Sequence, residues 1–311
     1  MSTDGKDSGD TQGAGRKLTG RILAAFGRSY LVECELGLLE CVPRAKRSVY
    51  ACGDRVAATT TGPGQGVLDA FETRQSLYRR SAEHRTKLIA ANATRLAVVV
   101  ATDPSFSDEL LARFLLAAED GGLECLVLLN KADLTAPLAH ARSRLAPFEA
   151  AGYRVEAVSA LADPGHLAGL FSKGTTLLVG QSGMGKSTIV NALVPGAHAA
   201  VDEISRFLHS GRHTTTHARL YRLGCGSEVI DSPGVQTFGL AHMDRAGIEH
   251  CFPELRPLYG TCRFSDCKHD GEPGCAVRAA VDSGALHPRR YELFLRIARE
   301  ATARAREAWE R

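Results

Sequence analysis

Apolar and polar positions change rhythm three times along the chain. From Gly20 to about Arg80 the sequence offers five short β-type runs: RILAAF, SYLVECEL, LLECVPRA, DRVAATT and GVLDAFETR. Each is bounded by Gly, Pro or charge clusters. Five short strands in so small a span predict a small barrel of OB-fold type, or an SH3-like barrel of similar pattern. After His84, strands and helices alternate. RLAVVVAT (95–102) is the continuous run of a strand buried on both faces. SDELLARFLLAAEDGG carries apolar residues at helical spacing and stops at Gly121-Gly122. LECLVLLN, YRVEAVSA and TTLLVG predict further strands, and TAPLAHARSRLAPFEAAG a further helix. This βαβ series defines an α/β domain. Beyond about residue 240 a Cys/His-containing loop lies between helix-like segments, and HPRRYELFLRIAREATARAREAWER closes the chain as a helix.

The predicted organisation is a disordered polar tail over 1–17, an OB-fold-like barrel over 18–82, an α/β domain over 83–240 and a mostly helical domain over 241–311. Composition narrows the classes. With 44% hydrophobic and 23% charged residues, whole-chain disorder is excluded. No apolar run approaches the ~20 residues that cross a bilayer, and the polar start has no hydrophobic signal region, so a cytoplasmic protein without membrane contact is expected. Nine cysteines in such a chain point to metal before disulfide. The net charge of +3 excludes a protein that coats polyanions along its whole length.

Candidate chemistry begins at Gly180-Gln181-Ser182-Gly183-Met184-Gly185-Lys186-Ser187, which matches G-x-x-x-x-G-K-[ST] between a buried strand and the helix STIVNALV. Glycines let successive N–H groups curl around phosphate oxygens at a helix N-terminus. Lys186 is expected to reach the β/γ-phosphates and Ser187 to ligate Mg²⁺, with Thr188 beside it in the site. Asn130-Lys131-Ala132-Asp133, at the end of LECLVLL, matches N-K-x-D. The Asp133 carboxylate accepts from both N1–H and the exocyclic amine of guanine, a donor pair that adenine lacks. That disfavours a P-loop ATPase or kinase. Ser159-Ala160 ends the next strand, where the guanine carbonyl is read. Asp231-Ser232-Pro233-Gly234 fits D-x-x-G, with Asp231 on Mg²⁺ and the Gly234 N–H on the γ-phosphate. Arg212-His213-Thr214-Thr215-Thr216 lies where switch I belongs. Thr214 and Thr215 are both candidates to close the Mg²⁺ shell, Thr215 being set beside Ser187 and Asp231 as the ligand group.

The order of these elements is that of a circularly permuted Ras-like domain, since the base-reading loops precede the phosphate loop. The residue after Gly234 is Val235, with Gln236 one place late. A Ras-type water-orienting Gln is therefore missing, and His213 is the candidate catalytic group beside Lys186, with Arg212 a source of transition-state charge. A nucleotide-sensing scaffold without turnover is the non-catalytic alternative.

Cys262, Cys267, His269 and Cys275 supply the donor set of one structural Cys₃His zinc site, with Cys251 an alternative ligand. Nine Lys/Arg against four Asp/Glu over residues 43–87, interleaved with Tyr50, Phe71 and Tyr78 and near Tyr30, suggest an RNA-binding barrel. Phe71 is the ring most expected to fill the barrel core. Seven arginines against four glutamates in the closing helix suggest a second basic contact.

The combination of small barrel, G-Q-S-G-M-G-K-S, H-T-T-T, D-S-P-G in permuted order and a Cys/His C-terminal domain resembles the RsgA (YjeQ-type) family over about residues 18–300. The resemblance implies a monomeric GTPase that binds the small ribosomal subunit and 16S rRNA in late maturation and hydrolyses GTP to GDP under subunit stimulation. The alternative is another GTP-driven RNA-binding factor of translation or RNA modification.

Overall fold

A computed structural model describes residues 15–45, 49–82, 85–197 and 218–309. Residues 1–14 of the tail expected over 1–17 and the expected switch I segment, with Arg212, His213, Thr214, Thr215 and Thr216, lie outside the described residues. The end of that tail is corrected, because Lys17 already begins the first barrel strand, paired with Thr59, and Arg16 pairs with Glu35.

Alternation of buried and exposed positions, clearest in β4, sets the barrel. Its strands are β1 (Lys17–Phe26), β2 (Ser29–Cys34), β3 (Gly37–Pro43), β4 (Arg55–Gly62) and β5 (Gln65–Phe71). They run in the order β1-β2-β3-β5-β4, and β4 closes back on β1. The one parallel pairing is β3 with β5. Leu18, Ile22, Tyr30, Val32, Leu39, Cys41, Tyr50, Val56, Ala58 and Leu68 fill the interior. Tyr30 (1% exposed), Tyr50 (8%) and Tyr78 (0%) are therefore core rings and not stacking platforms. Phe71 reverses the other way: it lies at the end of β5, 39% exposed, with the Arg74 guanidinium 4.2 Å over its ring.

A hairpin not evident in the sequence pattern, β6 (Leu77–Ala82) with β7 (Arg85–Ala91), follows the barrel. Then come β8 (Arg95–Ala101), α1 (Asp108–Gly121), β9 (Glu124–Asn130), α2 (Thr135–Ala150), β10 (Arg154–Ala157), α3 (Pro164–Leu170), β11 (Thr175–Gly180) and α4 (Lys186–Leu193). After the undescribed segment, β12 (Arg219–Arg222) and β13 (Glu228–Asp231) complete the central sheet. Its order is β10-β9-β8-β11-β13-β12, parallel throughout except for β12. The strand leading to the phosphate loop, β11, is thus central although late in sequence, which is what a permuted order requires. β8 and β11 are almost wholly buried, in keeping with the apolar run of β8 and the Leu177-Leu178-Val179 centre of β11. Ser107 caps α1 through Leu110 N, and Gly122 ends it at φ 72°. β1 passes a bulge at Ile22/Ala24, and Ala24 then pairs with Arg219 of β12, joining barrel and central sheet.

The C-terminal part contains α5 (Arg245–His250), a 3₁₀ turn (Pro253–Leu258), α6 (Ala276–Asp282) and α7 (Pro288–Trp309). Phe252 and Phe294 meet edge to face at 5.4 Å, and the apolar residues here join the core of the α/β domain. Among the described residues no helix is long and apolar enough to cross a membrane.

Candidate functional site

The C-terminal ends of β9, β11 and β13 converge, as ligand sites of open parallel sheets do. Gly180 ends β11 and Lys186 begins α4, so residues 181–185 form the turn between them. Gly185 stands at φ 90°, and a Cβ there would lie 2.3 Å from Asn130 Nδ2. Only glycine allows both that backbone and that approach. Lys186 is buried, and its Nζ donates to the carbonyls of Gly180 and Gln181 at 2.9 Å each. Burial pushes its ammonium below the usual value, and Asp231 works in the opposite sense. Ser187 lies exposed and Thr188 half-buried on the first turn of α4, with Ser182 and Gly183 exposed on the turn.

Asn130 ties the base-side loops to the phosphate loop. It is 2% exposed; its Nδ2 donates to Met184 O at 3.1 Å, and its Oδ1 accepts from Ala160 N at 3.3 Å. Ser159 Oγ donates to Asp133 Oδ1 at 2.6 Å and holds that exposed carboxylate beside the strand end. The Ala132 N–H donates to Val158 O at 3.0 Å. Lys131, at φ 59°, sends its Nζ to Asp103 O at 2.7 Å, while its own carbonyl accepts from Thr102 Oγ1 at 2.9 Å. Residues 130–133 and 159–160, thirty positions apart, are one unit.

Asp231 ends β13 opposite Leu178 of β11. Ser232 Oγ donates to Leu178 O at 2.6 Å, and Val235 N donates to Gly180 O at 3.3 Å. A Cβ on Gly234 would stand 2.9 Å from Lys186 Nζ. The D-x-x-G segment, the lysine and the phosphate loop therefore surround one space. Val235 is half-buried against the core and Gln236 is exposed.

The second cluster is Cys262, Cys267, His269 and Cys275, whose four donor atoms lie within 4.8 Å of one another. His269 Nδ1 lies 3.5 Å from Cys262 Sγ and 3.4 Å from Cys275 Sγ. For Zn–S bonds of about 2.3 Å, tetrahedral donors stand roughly 3.7 Å apart, so this set fits zinc. Backbone N–H groups of His269, Ala276 and Arg278 point at the sulfurs of Cys267, Cys262 and Cys275 respectively. Glu249 of α5 holds His269 Nε2 at 3.1 Å, which orients Nδ1 toward the sulfurs. Glu249 carries no sequence signal, being twenty residues away from the histidine. Cys251, the alternative ligand, is packed in the core, where burial pushes its thiol up to about 12; it is not among the clustered donors.

The basic segments are less free than their composition suggests. Arg44 pairs with Asp69, Arg74 with the buried Asp54, and Arg79 with Asp120. In α7, Arg289, Arg290, Arg296 and Arg299 pair with Asp108, Glu254, Glu109 and Asp270.

Strand order, loop order and the Cys₃His cluster define a class: a circularly permuted GTPase carrying an N-terminal closed β-barrel and C-terminal helices with a zinc-compatible cluster. Comparison with known proteins agrees. The model of the RsgA GTPase family matches residues 71–241. The small ribosomal subunit biogenesis GTPase RsgA of Burkholderia mallei is 48% identical over 93% of this chain and 94% of its own length. That of Paraburkholderia xenovorans is 47% identical over 91% and 93%. YjeQ from Thermotoga maritima superposes with a TM-score of 0.70 at 27% identity, covering 92% of this chain and 99% of that one. YloQ, a circularly permuted GTPase, shares the fold at a TM-score of 0.67, covering 93% and 96%. The chain belongs to the RsgA GTPase family.

Proposed function

We propose that this GTPase binds the small ribosomal subunit, contacts 16S rRNA and assists late subunit maturation in the cytoplasm, acting as a monomer. The observation that carries the reading is the Asn130 tie, which assembles a guanine-type base loop and a phosphate loop into one pocket. The relatives' names supply the ribosomal partner.

In this reading Asp133 takes the guanine N1–H and amine, held by Ser159, while the Lys131 stem lies along the base and Ala160 meets its carbonyl. The N–H groups of residues 181–187 cradle phosphate, and Lys186 exchanges its two carbonyl partners for β/γ-phosphate oxygens. Ser187, Asp231 and Thr215 or Thr214 would hold Mg²⁺, which supplies charge neutralisation on the phosphates when bound. Gly234 N–H senses the γ-phosphate. Val235 leaves no side chain there to orient water, so slow intrinsic turnover is expected, with His213 the candidate for that task. Cys262, Cys267, His269 and Cys275 would hold one structural zinc whose closed shell leaves no catalytic position.

Competition between GTP and ATP for the pocket, followed by pelleting with purified small subunits over a salt series, tests the reading. Preference for GTP and salt-sensitive binding to the subunit support it. Equal ATP binding, or subunit binding indifferent to a several-fold rise in salt, contradicts it.

A further inference from the structure

The C-terminal helix meets the nucleotide-binding domain at α2, where Arg290 lies 4.9 Å over the Phe148 ring, and through a set of ion pairs at the first turn of α1. Arg289 of α7 donates to Asp108 Oδ2 through Nε at 3.1 Å and Nη2 at 3.0 Å. Asp108 Oδ1 accepts from Arg144 of α2 at 2.5 Å. The next residue, Glu109, is shared in the same way between Arg113 of α1, at 2.9 Å, and Arg296 of α7, at 2.9 Å. Glu300 of α7 accepts from Arg113 at 2.5 Å. The side chains of Asp108 and Arg113 are each only 10% exposed, while their partners on α7, Arg289 and Glu300, are 40% and 42% exposed, so each pair has its inner member held in the fold and its outer member on the helix surface.

The stretch just before α1 reaches the nucleotide loops. The Ser107 N–H donates to the side-chain oxygen of Gln181, the second residue of the phosphate loop, at 2.8 Å. The main-chain carbonyl of the same Gln181 is one of the two that hold Lys186 Nζ. Arg144 fixes the stretch from behind, donating to Ser105 Oγ and Phe106 O at 2.6 Å each and lying 4.2 Å over the Phe106 ring. Asp103 O takes Lys131 Nζ from the base loop. Residues 103–108 therefore touch the phosphate loop, the base loop and the C-terminal helix at once.

We propose that residues 103–108 couple the position of the C-terminal helix to the nucleotide pocket, with Asp108 taking the load from Arg289 and Gln181 delivering it to Lys186. Both Arg289 and Gln181 act here as positioning residues. The proposal rests on the guanine-nucleotide reading of the pocket. It gives the C-terminal helix a route to Lys186 that does not run through the D-x-x-G segment and the chain that follows it. Coupling of this kind is reciprocal: a nucleotide that shifts the loop must shift the helix, and a partner that moves the helix must alter nucleotide affinity.

A double-mutant cycle on the full chain tests coupling where contiguity alone cannot. Arg289→Ala, Gln181→Ala and their double variant are titrated with fluorescent GDP and GTP, with melting curves to verify folding. Hydrogen exchange of α7 is followed with and without nucleotide. Each single variant is expected to change the GTP-to-GDP affinity ratio by about fivefold or more, and the double by no more than the larger single. Arg289→Lys restores part of the effect. Arg299→Ala, which breaks the pair with Asp270 on the same helix, is expected to match the wild type. Nucleotide changes protection over residues 289–296 in the wild type and not in either single variant. Additive effects, unchanged exchange in the wild type, or an equal effect of Arg299→Ala overturn the proposal. A wild-type chain that binds no guanine nucleotide fails earlier, and overturns the pocket reading with it.

Discussion

Removing the Asn130 side chain is the sharpest perturbation of the pocket. Asn130→Ala deletes two buried hydrogen bonds and orphans Met184 O on one side and Ala160 N–H on the other. An orphaned buried group costs about 1–3 kcal/mol, less where water can enter. Water entering the space the amide leaves lowers this to about 1–2 kcal/mol for each group, about 2–4 kcal/mol for the two. Without the tie, nucleotide must order the two loops itself, so the loss appears as affinity more than as fold stability. At about 1.4 kcal/mol per tenfold, guanine nucleotide binding weakens roughly 30- to 700-fold. Titration with a fluorescent GDP analogue, alongside thermal unfolding, measures this directly. Asn130→Asp separates the two bonds, because it keeps an acceptor for Ala160 N and sets a carboxylate against Met184 O. It is expected to bind at least as poorly as the alanine variant. Affinity within threefold of wild type in a folded Asn130→Ala chain would refute the reasoning.

The remaining expectations follow from burial and donor chemistry. Lys186 is held below its usual 10.5 by burial, so the unfolded chain binds more protons at this site between the lowered value and 10.5, and stability rises with pH through that window. Lys186→Met therefore leaves the nucleotide-free chain at least as heat-stable at neutral pH while abolishing GTP binding, and a lower melting temperature contradicts this. Metal analysis is expected to find about one zinc per chain, lost in Cys267→Ala together with helical signal from the C-terminal part; full helicity without metal would count against a structural role. Phe71→Ala should preserve the barrel and weaken RNA binding by about 1–3 kcal/mol, whereas Tyr30→Ala should destabilise the barrel by about 3–5 kcal/mol. Circular dichroism and a filter-binding assay separate the two variants.

The parts of this molecule legible in its sequence are those whose chemistry is local. Gly185 and Lys186 announce a phosphate loop because strand, turn and helix are adjacent in the chain. Five short runs announced the barrel because each is a β-type run bounded by its own Gly, Pro or charge cluster. What the pattern hid is set by distant partners. β12 offers only four residues, and its place depends on β13 and on Ala24 of β1. Aromatic residues in a basic segment do not reveal which way they face: Tyr30 and Tyr50 turn inward, while Phe71, at the end of its strand, faces out. The arginines of α7 read as a basic surface, yet Arg296 finds Glu109 across 187 positions and Arg289 finds Asp108 across 181. Glu249 on His269 belongs to the same kind, a carboxylate made relevant only by folding.

GTP turnover with and without purified small ribosomal subunits bears most directly on the central claim. Slow release of phosphate by the chain alone, rising strongly when small subunits are added and not when large subunits replace them, is the predicted result. Turnover indifferent to the small subunit, or raised equally by large subunits, would contradict it.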